Sequence, residues 1–258
     1  MWISIPKPLD QPPRGLVLYH GPSTIDGEPV VAIATLNSEN RKTGPMVQVW
    51  FLRADVNPVV SINTGADRSV CGDCPLRGHL EQELFSGHHL GIGEHPRTTC
   101  RGRACYVQVD RPAKSIWNAW RRGSYPDISP ANARYVTGRY VRLGAYGDPA
   151  SVPLESLLPI LNQAAGHTGY THQWRFAKHL RPWVNASTHT EDESREAISL
   201  GWRVFQTADK LPAGLKWCPS DRMQCHTCRA CRGSSGRNMA IKPHGGICTL
   251  YSFAKLQA

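Results

Sequence analysis

Val141-Arg-Leu-Gly-Ala145, then Leu154-Glu-Ser-Leu-Leu-Pro-Ile-Leu-Asn162, then Gly169-Tyr-Thr-His172 is the stretch that decides the fold. A short apolar run, a Leu-rich segment of helical length and a second short run predict strand, helix and strand in succession. The alternation continues downstream. Gln173–Leu180 reads as a helix, Val184–Ser187 as a strand, Glu191–Leu200 as a helix and Arg203–Phe205 as a strand. A turn region around Pro212 and Gly214 then leads into Leu215–Trp217. Thr190 can cap the helix at Glu191, and Glu193, three residues on, completes a capping box. Alternation of this period indicates βαβ units and a parallel sheet. There are too few units for a complete eight-fold barrel, so the expected fold is α/β, an irregular or partial parallel βα barrel.

The chain divides into three parts that together form one compact unit. Residues 1–65 are β-rich, with Leu16–Tyr19, Val30–Thr35, Met46–Leu52 and Val59–Ile62 as candidate strands. Asp26-Gly27 and Asn37–Gly44 separate these runs at hairpin-like spacing, which predicts antiparallel pairing. Residues 66–134 form a cysteine-rich segment followed by a short helix, Ala113–Trp120. Residues 135–258 form the barrel-like part with the C-terminal cysteines.

In parallel α/β folds, chemistry collects at the C-terminal ends of the strands. The residues just past those ends are Tyr146, Gly147 and Asp148, His172 and Gln173, Ser187, Gln206 and Cys218. They are expected to converge on one mouth. Asp148 serves equally as a substrate-binding carboxylate, a base or a cap for the next helix. His172 is as readily a satisfied structural histidine as a functional one.

Cys218 opens the most informative motif, Cys218-Pro-Ser-Asp-Arg-Met-Gln-Cys225-His-Thr-Cys228-Arg-Ala-Cys231-Arg-Gly. Thiols two residues apart suit a cube of iron and sulfide gripped by a short wrapped loop. A lone zinc ion needs its four ligands spread tetrahedrally around a small centre, and a zinc-ribbon-like knot is the alternative. Gly233 would let the backbone turn away from such a centre. A second set, Cys71, Cys74, Cys100 and Cys105, falls in two pairs that suit zinc and a second cluster equally. His79, His88, His89 and His95 lie between the pairs as possible replacement ligands, and ligands could also be exchanged between the two sets. His244 follows an apolar run and is expected near the first set. Cys248, in Ile247-Cys248-Thr249-Leu250-Tyr251, reads as a buried core thiol.

The chain has 258 residues, an odd nine cysteines and no long apolar N-terminal core. No apolar stretch has the length of a membrane span. These features predict a soluble cytoplasmic protein with unpaired thiols, whose clustered cysteines bind metal rather than pair. The formal charge of +10 admits a nucleic-acid partner, although the Lys and Arg are dispersed beyond short clusters such as Arg121 and Arg122. No GxGxxG turn, phosphate-binding P-loop or HExxH helix is present, which excludes the simplest dinucleotide, nucleotide and zinc-protease readings.

Several runs together resemble the bacteriophage family named after "gene product 88". They are Cys71-Gly-Asp-Cys74-Pro-Leu-Arg77, Cys105-Tyr-Val107, Val141-Arg-Leu-Gly-Ala-Tyr-Gly-Asp148-Pro149, Gly169-Tyr-Thr-His-Gln-Trp174, and the Cys218–Cys231 run with Pro243-His-Gly245. The resemblance implies a phage-encoded, cysteine-rich protein acting in the host cytoplasm, and supplies no reaction. The strand-end pattern is also similar to the barrel of radical S-adenosylmethionine enzymes, but their C-x3-C-x2-C signature is missing. Those enzymes leave one iron free of protein ligands, whereas here four thiols are present for the main centre.

The sequence thus predicts an iron–sulfur protein. Cys218, Cys225, Cys228 and Cys231 would hold a [4Fe–4S] cluster, and Cys71, Cys74, Cys100 and Cys105 a second metal, zinc or iron–sulfur. Its role would be redox, with an electron-transfer or host partner and no membrane. The alternatives are a radical-SAM-like enzyme and a structural zinc protein that binds nucleic acid.

Overall fold

The computed structural model describes residues 11–87, 92–101 and 103–244, with the backbone alone described for 79–87 and 92–101. In chain order the strands are β1 Gly15–Pro22, β2 Pro29–Thr35, β3 Val47–Arg53, β4 His79–Gly87, β5 Ile92–Arg101, β6 Tyr140–Tyr146, β7 Gly166–Thr171, β8 Asn185–Thr188, β9 Val204–Thr207, β10 Lys216–Trp217 and β11 Met239–Ile241. The helices are α1 Pro58–Thr64, α2 Arg68–Cys71, α3 Lys114–Arg121, α4 Pro130–Ala133, α5 Leu158–Leu161, α6 Glu191–Ser199 and α7 Cys225–Cys228.

Nine strands form one mixed sheet in the order β1-β2-β3-β6-β7-β8-β9-β11-β10. β1, β2 and β3 pair antiparallel, as the hairpin spacing predicts. From β3 onward every pairing is parallel, as the strand–helix alternation predicts. β4 and β5 form a separate antiparallel hairpin within the cysteine-rich segment. β2 and β3 are buried on both faces, from Val30 to Ala34 and from Val47 to Phe51 apart from Trp50, consistent with central strands of near-continuous apolar sequence. Phe51, Leu143, Leu157, Ile160, Leu180, Trp174 and Trp202 fill the core against them.

Three expected elements differ. Val59–Ile62 is helical, not a strand: Asn57 Oδ1 accepts from Val59 N at 2.9 Å, and Pro58 supplies the fixed φ of a first helical turn. The Leu154–Asn162 helix breaks into a 3₁₀ turn at Leu154–Ser156 and the short α5, because Pro159 has no N–H to continue the ladder. Gln173–Leu180 contains only a turn and a 3₁₀ segment at Lys178–Leu180. Its Trp174 is drawn into the core at 1% exposure while Phe176 stands 78% exposed, and no single helical stripe orders the segment. The apolar run before His244 becomes β11, which inserts between β9 and β10.

α6 starts at the expected cap. Thr190 Oγ1 accepts from Glu193 N at 3.1 Å, but the Glu193 carboxylate reaches back one residue further, accepting from His189 N at 2.7 Å. Among the described residues no helix is long and apolar enough to cross a membrane.

Candidate metal centres around one cavity

A cavity of about 830 Å³ opens at the C-terminal ends of the parallel strands. Tyr146, Gly147, Asp148, His172, Ser187 and Cys218, all expected at this mouth, line it. Gln173 and Gln206 do not. Gln173 turns to a smaller neighbouring pocket, and Gln206 accepts from the buried Ser194 hydroxyl at 2.9 Å. Both cysteine sets reach the same cavity, through Cys218 and Cys225 from one and Cys71, Cys74 and Cys105 from the other.

The first set is carried by a tightly wound loop. Cys218 directly follows β10, and its N–H donates to Ala240 O at 2.7 Å. α7 is a single turn bounded by Cys225 and Cys228, ended by Arg229 in the left-handed conformation, φ 56°. Cys225 N donates to Lys42 O at 2.9 Å and His226 N to Thr43 O at 3.3 Å, tying the loop to the residues that lead into β3. Cys231 O accepts from Gly169 N at 3.1 Å. The chain then leaves at Gly233, φ 59°, where a Cβ would stand 2.4 Å from Pro182 O. The predicted need for glycine there has this concrete cause.

The four thiols of this set are electrostatic neighbours. Cys225 and Cys228 act on Cys218, and all three act on Cys231. Burial pushes the Cys218, Cys225 and Cys231 thiols up. The Tyr170 hydroxyl bonds Cys231. Two cations face this set: Lys42, held low by burial and near Cys218 and Cys225, and Arg142, a buried guanidinium near Cys225 and bonded to Tyr170. Among the described residues neither forms a salt bridge to a carboxylate. Sequence reasoning misses both. Arg142 carries a signal, a charge inside an otherwise apolar strand; Lys42 sits in a stretch that reads only as a turn.

The second set is built on a latch. Asp148 N donates to Val70 O at 2.6 Å, and Gln173 Nε2 donates to Cys71 O at 3.2 Å. Gly72, φ 56°, passes so close to Gln173 that a Cβ would lie 2.4 Å from its amide. Ala104 N and Cys105 N both donate to Leu76 O, at 3.0 and 2.8 Å. Asp67, fully buried, takes Arg77 at 3.0 Å and Arg103 at 3.3 Å. Burial pushes the Cys71 and Cys74 thiols up, and Cys105 beside them adds to this. Cys100 lies in β5 opposite Leu80; its thiol, the side chains of His79 and His95, and His88, His89 and Cys248 lie outside the described residues.

Asp148 is a structural carboxylate. Its oxygens accept from Thr171 Oγ1 at 2.7 Å, Ala150 N at 2.9 Å and His172 N at 2.7 Å, and burial pushes it up to about 6. Beyond it, His172 Nε2 lies 3.6 Å from Cys74 Sγ and 3.1 Å from His189 Nε2. His244 lines the cavity beside Tyr106, ring to ring at 4.4 Å. Among the described residues, no three His, Cys, Asp or Glu side chains meet closely enough to hold a bare ion as they stand.

No protein-family model, no curated protein and no solved structure matches this chain.

Burial holds His167, His172, His189 and His244 below their ordinary value of 6.5, with His172 pushed down to about 3 by burial and by His189. At these four rings the unfolded chain therefore binds more protons than the folded one at acid pH. The stability these groups contribute is complete above pH 6.5 and is lost as the pH falls towards 3. The urea midpoint of metal-free protein should accordingly drop between about pH 7 and pH 4. Asp148 and Asp67, whose carboxyls burial raises, act in the opposite sense, so the test compares the pH dependence with that of His172→Phe: an identical dependence in the variant contradicts neutral burial of the His172 ring.

Proposed function

We propose that this chain is an iron–sulfur protein with a redox or electron-transfer role. Cys218, Cys225, Cys228 and Cys231 hold a [4Fe–4S] cluster, and Cys71, Cys74 and Cys105 contribute to a second metal centre, zinc or iron–sulfur, on the same cavity. The observation that carries this reading is the pairing of four neighbouring thiols with two cations, Lys42 and Arg142, that have no carboxylate partner among the described residues. A cluster wrapped by four thiolates is anionic and needs such compensation in a buried site. Arg142, half-buried in β6 against Tyr170, and Lys42 at the rim of the cavity both bring positive charge to the thiols, where no carboxylate among the described residues pairs with them.

When bound, the cluster supplies one-electron chemistry. The chain's own residues set its conditions. Tyr170 bonds one ligand sulfur, Lys42 and Arg142 favour the more negative reduced state, and the burial of Cys231 excludes water from one side. Cys225 and His226, bonded back to Lys42 and Thr43, bring the last strands of the sheet towards its first. This supports the partial-barrel reading. None of the seven described cysteines is in a disulfide, so their thiols are free to ligate.

A second reading, a radical-SAM-like enzyme, is favoured by the size of the cavity beside the cluster ligands. It requires one of the four thiols not to ligate.

Anaerobically purified protein should contain about four irons and four acid-labile sulfides for the first set, and Cys225→Ser should lose them. Zinc without sulfide would overturn the reading in favour of a structural zinc protein that binds nucleic acid. Added S-adenosylmethionine that changes the reduced cluster's magnetic resonance would select the enzyme reading, and an unchanged signal would remove it. Lys42→Met should lower the cluster's reduction potential by an amount on the order of tens of millivolts, measured by redox titration, because one compensating charge is gone.

A further inference from the structure

By sequence His172 is only a strand-end histidine, but its surroundings assign it a different part. Its backbone is fixed independently of its ring, since His172 N donates to Asp148 Oδ2 at 2.7 Å at the end of β7. The ring is then carried to the Cys71-Gly72-Asp73-Cys74 turn, which the neighbouring Gln173 already grips through Cys71 O. There His172 Nε2 lies 3.6 Å from Cys74 Sγ. Two ligands on one tetrahedral ion, with metal–sulfur near 2.3 Å and metal–nitrogen near 2.05 Å, stand about 3.6 Å apart. The observed contact has that spacing.

Two further atoms beside the same thiols lack partners. Among the described residues the Tyr146 hydroxyl and Arg103 Nη2 are buried without a hydrogen bond, and both residues are electrostatic neighbours of Cys71 and Cys105. Buried donors left unpaired are costly. Thiolate ligands would satisfy them, because metal binding strips the thiol protons and leaves strong sulfur acceptors.

We propose that the second centre is a mixed thiolate–imidazole metal site, held by Cys71, Cys74, Cys105 and His172, with Cys100 not a ligand. The inference rests on the reading of the second cysteine set as a metal centre, and deepens it by replacing one thiolate with a neutral imidazole. The site then carries one negative charge fewer than a four-thiolate centre. Asp67 lies next to it, paired with both Arg77 and Arg103, so that trio brings one net positive charge to the site. His189 Nε2, 3.1 Å from His172 Nε2, is the ring's partner before loading and yields it to the metal. Loading draws Cys71 and Cys105 in to complete the tetrahedron.

The test compares zinc, iron and sulfide per chain, and retention against chelators of graded strength, in the full-length protein and four variants. His172→Ala should weaken retention at the second centre by more than about 100-fold, beyond what loss of an outer hydrogen-bond partner costs. His189→Ala should weaken it by about 100-fold at most, and Cys100→Ala should leave it unchanged. His172→Cys should restore retention, which separates a ligand role from a folding role. Iron and sulfide at the Cys218 set should stay constant throughout. Full retention in His172→Ala, loss in Cys100→Ala, or failure of His172→Cys to restore binding would each overturn the assignment. A wild-type chain with no metal beyond one cluster would overturn the second centre itself.

Discussion

The carboxylate of Asp148 fixes the strand ends against which the Cys71–Cys74 turn is set. It sits where β6 ends, buried, and accepts from the side chain that closes β7, from the main chain of His172 and from the turn at Ala150. Its own N–H holds Val70, one residue before Cys71. A buried carboxylate with three donors is stable only when all three are in place. Strand ends, cysteine turn and cavity wall are thus set together, and a shift in any one leaves a charge or a donor unpaired. The residue that has the sequence marks of a catalytic candidate is the joint of the frame.

Around that joint the chain gathers an unusual store of unspent chemistry. Five cysteines line one cavity, and burial raises the thiols of Cys71, Cys74, Cys218 and Cys225. Lys42 and Arg142 bring positive charge to the same wall, with no carboxylate paired to either among the described residues. Ionised thiols and unpaired donors such as the Tyr146 hydroxyl are individually unfavourable in a buried place. On the reading proposed above they become mutually favourable once the sulfurs are deprotonated and ligated, and metal binding would then draw on the same free energy as the last steps of folding.

Much of this architecture is readable from the residues because its determinants are local. β1 to β3 and β6 to β9 announce themselves by short apolar runs between turn residues, and Thr190 marks the start of α6. The spacing of Cys218, Cys225, Cys228 and Cys231 is also a local signal. The errors have local causes as well: Asn57-Pro58 outweighs the β-branched run behind it, and Pro159 cuts the Leu-rich helix. Hidden from such a reading is whatever depends on residues far apart. Nothing near Lys42 in sequence points to Cys225, and nothing near Cys74 points to His172. The meeting of the two cysteine sets at one cavity follows from strand order, with β11 inserted between β9 and β10, which composition does not encode.

The bonds from Cys225 and His226 to Lys42 and Thr43, flanked by Gln224 on Arg41 across 183 residues, also bear on the order of events during synthesis. Contacts of such separation form late, because the entropy of closing the intervening loop must first be met by strands already paired. On the ribosome, residues 41–43 emerge long before their partners and wait, docked against nothing, until nearly the whole sheet has been made. The Cys218–Cys231 loop is therefore among the last segments to find its place. Until then its thiols are held away from the wall they finally face, so on the reading proposed above the metal taken up would depend on delivery during that interval as well as on affinity in the finished protein.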